Sequence, residues 1–436
     1  MTVPAAAGAS KDWVLAAGSE LRFEVPFRKT IEVRVKAGTA EYFGTELGRE
    51  ATYTFSGGEA GAIFSWQGCT LAVAGECTSI YVADETAMDA YINIHAALQQ
   101  QRERAGGGDG PAPRVMVVGP EDGGKTALVR ILVNYAVRMG SRPLLANLDP
   151  MEALFTVPGT VSVLPVTKAV DIEAAFMNYA ATSSEGPPDD PLVWQFGHED
   201  PEDNAALFNE LVDRVAVAVD RRMEADREAA SSGLVVDTHG FGDVSQNHTV
   251  HHAIEALRIN TLLVVGNERM YSLLSDQLGG RGVAVVKLAR SGGAVERSAR
   301  TRQQLNARVV HQYFYGLGRE PAASFSTVVN FSEIRILRVG EDAVAPSSTL
   351  PLGEDRKVTG TTVQTVDPDE SLIHSLLAVT DLQPDAEDIV GVNVIGFVNV
   401  TKVEMDKSRM LVLSPVPGRL PKQVLLYGNS TWMETT

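Results

Sequence analysis

The residues whose types and spacing say most about chemistry are Gly119-Pro-Glu-Asp122-Gly123-Gly124-Lys125-Thr126, which fit the pattern G-x-x-x-x-G-K-[ST]. Glycines in such a loop let backbone N–H groups turn toward phosphate oxygens, and the positive end of a following helix strengthens the cradle. Lys125 is then expected to reach the β- and γ-phosphates, and Thr126 to ligate Mg2+. The pattern indicates a nucleoside triphosphate and leaves base and reaction open. A guanine-reading Asn-Lys-x-Asp would normally follow a later strand. The nearest candidate, Asn267-Glu268-Arg269-Met270, does not match it, so the expected ligand is ATP.

Two aspartates end apolar runs, Asp149 after Leu144–Leu148 and Asp237 after Leu234–Val236. Carboxylates at the C-terminal ends of parallel strands stand where phosphate, metal and substrate meet. Asp149 could take the proton of an acceptor hydroxyl and Asp237 could hold Mg2+ through water. Either one alone fits equally well as a turn or capping residue. Farther on, Lys287, Arg290, Arg297, Arg300 and Arg302 crowd one stretch around Gly292-Gly293 of an otherwise acidic chain. That stretch reads as a glycine-hinged lid over the triphosphate, with a solvated helix face as the alternative. His248, His251 and His252 share helical spacing but lack a carboxylate at metal-site spacing, and they read as helix surface.

The elements that must position these groups fall into three parts. From Glu20 to about Asp84, Leu21-Phe23-Val25, Ile31-Val33-Val35, Ala62-Phe64-Trp66 and Leu71-Val73 alternate with turns, the signature of an antiparallel sandwich or barrel. A helical segment from Met88 to Arg104 runs into Ala105–Pro113, where glycine and proline point to a linker. Next come a strand at Val115–Val118, a helix at Thr126–Met139 and a strand at Pro143–Leu148. Further runs at Leu234–Val236, Leu262–Val265 and Val283–Val286 complete an α/β domain on a parallel sheet. Ser183–Asp190 reads as an exposed insertion and Asp220–Ala230 as a solvated helical face. Beyond Phe325 the alternation returns, with helical signals only around Ser371–Val379. The expected division is an N-terminal β domain over 1–104, a P-loop domain over 105–320 and a C-terminal β-rich domain over 321–436.

Composition bounds what the whole can do. At 44% hydrophobic and 21% charged residues the 436-residue chain can support packed cores. Its formal charge of −17 disfavours non-specific binding to nucleic acid. Cys69 and Cys77 form no disulfide framework, which suits a reducing compartment. No leader-like or membrane-spanning stretch is apparent, so a soluble intracellular protein is expected.

Taken together, GPEDGGKT, NLDP, SGGAVERS, HQYFYG and the early ELRFEV and EYFGTEL resemble the Clp-one polynucleotide 5′-hydroxyl-kinase family, whose fungal members are subunits of the pre-mRNA cleavage factor IA. The resemblance runs from about Glu20 to the LPK at 420–422 and implies the same three-domain order. It implies that Glu20 contacts adenine, that Gly119 and the residues from Asp122 through Gly123, Gly124, Lys125 and Thr126 to Ala127 surround the phosphates, and that Asp149 and Arg297 are the base and the lid arginine of active members.

Departures accompany it. Asp149-Pro150-Met151-Glu152 stands where active members carry Asp-Val-Gly-Gln, Phe241 stands where they carry tryptophan, Arg290 replaces a lysine, and a nucleotide-touching lysine of animal members falls at Ala60. Fungal-type members share such departures. What this implies is a nuclear subunit that holds ATP and Mg2+ without kinase turnover. Its expected partners are the scaffold subunit that binds the RNA polymerase II C-terminal tail and other 3′-end processing factors. RNA would be touched only weakly, by stacking on Phe241, or indirectly, and no membrane is involved. The alternative is an active RNA 5′-hydroxyl kinase.

Overall fold

The computed structural model describes residues 10–175, 190–241, 248–317, 320–321, 323–340, 360–382, 388–420 and 424–434. Nine strands come first: β1 (Lys11–Leu15), β2 (Ser19–Glu24), β3 (Thr30–Gly38), β4 (Glu41–Tyr42), β5 (Thr45–Glu46), β6 (Thr52–Ser56), β7 (Ala60–Ser65), β8 (Cys69–Gly75) and β9 (Ser79–Ala83). They form two antiparallel sheets, ordered β1-β8-β3-β6 and β5-β4-β7-β2-β9. Strand β3 shows why the sheets stack: Ile31, Val33 and Val35 are buried, while Glu32, Arg34 and Lys36 face out. Strand β2 breaks the alternation, because Arg22 is buried between Leu21 and Phe23. An ion pair with Glu20 allows that.

Helix α1 (Met88–Gly107) presents Met88, Tyr91, His95, Leu98 and Arg102, at spacings of three and four, to the neighbouring domain. It continues two residues past Ala105, into the stretch expected to be irregular, and ends where Gly108 takes the left-handed conformation at φ 83°. The central domain follows: β10 (Arg114–Val118), α2 (Lys125–Arg138), β11 (Leu144–Leu148), β12 (Thr160–Pro165), β13 (Leu192–Gln195), α3 (Ala205–Ala225), α4 (Arg227–Ser232), β14 (Leu234–Thr238), α5 (His248–Ala256), β15 (Thr261–Val265), α6 (Glu268–Leu278), β16 (Ala284–Leu288) and α7 (Ala299–Tyr315). The sheet order is β13-β12-β11-β14-β10-β15-β16. Strands β11, β14, β10, β15 and β16 are parallel, as expected, and β12 and β13 extend the sheet in antiparallel fashion. The centre is apolar on both faces because helices cover both. Most of Ser183–Asp190 lies outside the described residues.

The last domain adds β17 (Gly316–Leu317), β18 (Glu320–Pro321), β19 (Phe325–Asn330), β20 (Arg335–Val339), β21 (Val363–Val366), β22 (Ser375–Thr380), β23 (Val394–Glu404), β24 (Arg409–Ser414) and β25 (Val424–Thr431). Seven of these form a sheet ordered β19-β24-β23-β22-β25-β20-β21. The helical reading of Ser371–Val379 is corrected here: a short 3-10 turn at Glu370–Leu372 leads into β22, which is buried along its whole length. A central strand apolar on both faces carries no alternation, so its run looks like a helix segment. Helix α7 joins this domain to the central one, with Phe314 stacked on Trp432 at 5.6 Å. Among the described residues no helix is long and apolar enough to cross a membrane.

Candidate functional site

Strand β10 delivers the chain into the loop at Gly119, and α2 leaves it at Lys125. Close packing dictates the glycines around it. A Cβ at Gly119 would lie 2.6 Å from the Val265 carbonyl oxygen, and one at Gly240 would lie 2.6 Å from the Glu121 backbone. Gly124 immediately precedes α2 with φ 87°, a left-handed conformation that suits glycine. Asp122 is also left-handed, at φ 52°. Its Oδ2 accepts the backbone N–H of Arg297 and Nη2 of Arg302, both at 2.8 Å. Lys125 Nζ donates to the Pro120 carbonyl at 2.9 Å, so the lysine lies folded along the loop.

The loop opens onto a cavity of about 260 Å³ between the N-terminal and central domains. Glu20, Ala60–Ala62 and Phe64 line it from the first domain, Tyr91 from α1, and Glu121–Ala127 from the loop. Asp149, Glu152, His239, Ser291, Gly293–Val295, Arg297 and Arg302 lie in its wall too, and Arg130 of α2 reaches it. The basic segment therefore does lie over the loop, although its cations divide. Arg297 and Arg302 face the site, whereas Arg290 pairs with Glu296 and Lys287 with Glu268 at the surface, and Arg300 is exposed. Both oxygens of Glu20 are engaged, one by Arg22 Nε at 2.6 Å and the other by Thr86 Oγ1 at 2.8 Å. Arg22 also reaches Glu85, and the lid residues Gly292 and Gly293 rest against this Arg22–Glu85 pair.

Carboxylates concentrate at the strand ends beneath the loop. Asp149 Oδ1 accepts the backbone N–H groups of Met151 at 3.0 Å and Glu152 at 3.3 Å, and His239 Nδ1 lies 3.1 Å away. Burial opposes ionisation of Asp149, yet His239, Lys125 and the Glu152 N–H hold its pKa below the usual carboxylate range. His239 moves the opposite way: burial disfavours its charge, but Asp149 raises its pKa above the ordinary imidazole value. Burial raises the Glu152 carboxyl as well, with Asp149 and Asp122 adding to the effect and Arg297 and Lys125 opposing it. Arg297 Nη1 donates to Glu152 Oε1 at 2.6 Å.

Asp237, 1% exposed, accepts the Thr238 backbone N–H at 3.1 Å through Oδ1. Its Oδ2 is buried without a hydrogen-bond partner. Burial pushes its pKa up to about 7, with Asp149 and Glu152 adding to the rise and Thr126 and Lys125 opposing it. A buried carboxylate oxygen lacking a donor, next to the hydroxyl at the first turn of α2, fits a hard divalent cation held partly through water. Loop N–H groups and Lys125 fit an anionic phosphate chain. The donor set thus suits a nucleotide with its cation.

Comparison with known proteins agrees domain by domain. Residues 14–105 match the N-terminal beta-sandwich domain of polyadenylation factor, residues 119–316 the mRNA cleavage and polyadenylation factor CLP1 P-loop, and residues 323–434 the pre-mRNA cleavage complex II protein Clp1. A CLP1 homolog of Nematostella vectensis is 39% identical over 428 residues, covering 97% of both chains. One of Drosophila yakuba is 38% identical over 417 residues, covering 95% of this chain and 96% of its own. The chain belongs to the Clp1 family. Among solved structures, wild-type Clp1p in complex with a Pcf11p segment aligns at TM-score 0.85 and 25% identity, covering 98% of this chain and 99% of that one. A second, describing an extended Pcf11p–Clp1p interface and ATP loss in a point mutant, aligns at TM-score 0.87 and 25% identity, covering 98% and 100%.

In this chain the structure brings Glu20, the loop from Asp122 to Ala127, Asp149 and Arg297 around one cavity, with Asp237 beneath it, while Gly119 packs against Val265 and does not line the cavity. Ala60 lines the same wall and offers no charge. The expected stacking face at Phe241 is absent: the ring is 6% exposed, packed in the central core and edge-on to His239 at 5.9 Å. His252 pairs with Asp213 on α3. Sequence reasoning missed His239, Arg22 and Glu85. The only available signal was a histidine two residues past Asp237 at the same strand end; Arg22 and Glu85 carried none.

Proposed function

We propose that this protein is an ATP-holding subunit of a pre-mRNA 3′-end cleavage and polyadenylation assembly in the nucleus, without appreciable kinase turnover. The observation that carries the reading is the enclosure of an intact phosphate loop between two domains while both arginines that face it from the lid segment are already paired, Arg297 with Glu152 and Arg302 with Glu121 and Asp122. Backbone N–H groups of the loop and Lys125 would hold the phosphates, and Thr126 with Asp237 would hold Mg2+. A bound divalent cation would offset the charge of the carboxylates that face one another there and of the triphosphate itself. A ligand that binds only the assembled domains stabilises them by mass action, so a nucleotide serves here as part of the architecture.

The likeness to Clp1p solved with Pcf11p supports a cleavage-factor scaffold of that kind as partner, through which the subunit would connect to the RNA polymerase II tail and to other processing factors. Buried Phe241 favours RNA contact that is indirect. A second reading, an RNA 5′-hydroxyl kinase, draws on Asp149, Lys125 and Arg297 bordering one cavity.

The test is to purify the protein, identify any nucleotide that accompanies it, and incubate it with labelled ATP, Mg2+ and a 5′-hydroxyl oligoribonucleotide. Intact ATP with no label on RNA is expected. Label transfer abolished by Asp149→Ala would overturn the silent reading in favour of the kinase.

A further inference from the structure

Two observations concern the same arginine. Arg297 sits at the end of the lid segment, and its backbone N–H is pinned to Asp122 of the phosphate loop at 2.8 Å, so its position over the loop is fixed. Its side chain, however, turns to the Asp149–Glu152 turn, where Nη1 meets Glu152 Oε1 at 2.6 Å. That turn is itself rigid: Asn147 Nδ2 donates to the Glu152 carbonyl at 3.1 Å, and Asp149 accepts the Glu152 N–H. Anchored at both ends, the pair is not a loose surface contact. It stands in the cavity wall beside Lys125 and Asp149.

From this geometry we infer that Glu152 is a positioning residue that holds Arg297 away from the terminal phosphate of a bound nucleoside triphosphate. The inference rests on the nucleotide-holding reading above and deepens it. An arginine free to meet the γ-phosphate would contribute a charge-assisted, bidentate contact to a triphosphate and nothing to a diphosphate. Engaged by Glu152, it contributes little to either, and the Glu152 charge repels the added phosphate. The site therefore discriminates weakly between ATP and ADP. The same arrangement withholds charge that γ-phosphoryl transfer needs. In that reaction a hydroxyl oxygen bonds to the γ-phosphorus, the bond to the bridging oxygen breaks, the electron pair leaves with ADP, and the hydroxyl proton passes to a carboxylate such as Asp149.

The substitution that isolates this effect is Glu152→Gln, which keeps size and removes the charge. Glu152→Asp, Arg297→Ala and the double variant Glu152→Gln/Arg297→Ala serve as controls. ATP and ADP affinities are measured by titration calorimetry on the nucleotide-stripped full chain with Mg2+, alongside melting temperature and the label-transfer assay. Glu152→Gln is expected to raise the ATP-to-ADP affinity ratio on the order of tenfold, and the double variant to return it to the wild-type value. Glu152→Asp is expected to stay near wild type. Any gain in label transfer should appear in kcat and should also vanish in the double variant.

An unchanged ratio in Glu152→Gln, or a raised ratio that persists without Arg297, overturns the inference. If the pair only braces the turn, Glu152→Gln will lower the melting temperature and weaken both nucleotides equally, which also overturns it. Failure of the broader reading looks different: a chain that binds neither nucleotide, or a wild-type chain that already transfers label efficiently.

Discussion

The guanidinium carbon of Arg130 lies 5.0 Å from the centroid of the Tyr42 ring, joining the helix that leaves the phosphate loop to the core of the N-terminal domain. The relationship extends along α2 at helical spacing. Asn134, fully buried, donates Nδ2 to the Phe43 carbonyl at 2.7 Å and accepts the Val170 N–H at 2.8 Å. Arg138 pairs with Glu41 at 2.9 Å, and Tyr135 OH bonds the same carboxylate. Residues 130, 134 and 138 thus form a polar stripe on a helix whose first residue is Lys125. These contacts give the N-terminal domain a direct purchase on the helix that leaves the loop.

Asn134→Ala removes two buried hydrogen bonds and leaves a carbonyl and an N–H without their partner. It is expected to cost ~1–3 kcal/mol in urea unfolding and to speed release of a fluorescent ATP analogue. A loss of stability with unchanged release would show that α2 does not couple the domain contact to the loop.

Gly240 is expected to be intolerant for a reason outside the loop pattern. Its Cβ position is occupied by the backbone of Glu121, which cannot move without reshaping residues 119–124. Gly240→Ala should weaken ATP binding on the order of tenfold or more, a loss of ~1.4 kcal/mol or more, in a titration with Mg2+. Near wild-type affinity would mean that the loop accommodates the shift without losing its phosphate contacts.

How much of this was legible beforehand follows from the range of each interaction. The phosphate loop was readable because eight consecutive residues carry the whole device, and the strand before it and helix after it are local patterns. Asp149 and Asp237 were found as candidates because strand ends can be located from apolar runs. The engagement of Asp149 with His239 and the unequal environments of the two aspartates come from neighbouring strands that only the sheet order brings together. Arg130, Asn134 and Arg138 looked like ordinary polar residues of an amphipathic helix, since nothing in their spacing says that another domain covers them. Complete burial erases the alternation of strand β22, so its run reads as a helix segment, and an aromatic after Gly240 carries no sign of which way it points, so nothing local shows that Phe241 enters the core.

The lid's contact with the N-terminal domain yields a third expectation. Arg22 joins Glu20 to Glu85, and Gly292 and Gly293 lie directly on that network. Arg22→Ala should leave buried Glu20 without its counter-ion, held only by Thr86, lower the melting temperature, and accelerate nucleotide release because the lid loses its seat. Gly292→Ala is the milder companion. Its added methyl meets the Glu85 carboxylate and Arg22 Nη1, both ends of side chains rather than backbone, so folding should survive while release still quickens. Stopped-flow displacement measures both, and unaltered release in both variants would show that the lid's seat does not govern exchange.

The buried carboxylate of Asp237 makes the protein's pH response depend on its ligand. Its folded pKa of about 7 lies above the ordinary value of 3.8, so the folded state holds a proton that the unfolded chain gives up. This stabilisation is complete below about pH 4, declines as pH rises toward 7, and is gone above it. His239, also raised, contributes in the same direction near its own titration, whereas Asp149, lowered, contributes stability that is lost only in acid. Comparison with Asp237→Asn isolates the one group. Without ligand the variant should match wild type near pH 5 and exceed it at pH 8 by on the order of 1–3 kcal/mol, since the wild type then carries an unpaired buried charge. With Mg2+ and ATP the order should reverse at pH 8, because the cation needs the ionised oxygen that the amide lacks. Melting temperatures at pH 5 through 8, with and without MgATP, test both halves. A difference between the two ligand-free proteins that stays constant across that range would show that Asp237 does not take up the proton, and an order that MgATP leaves unreversed would show that the cation is held elsewhere.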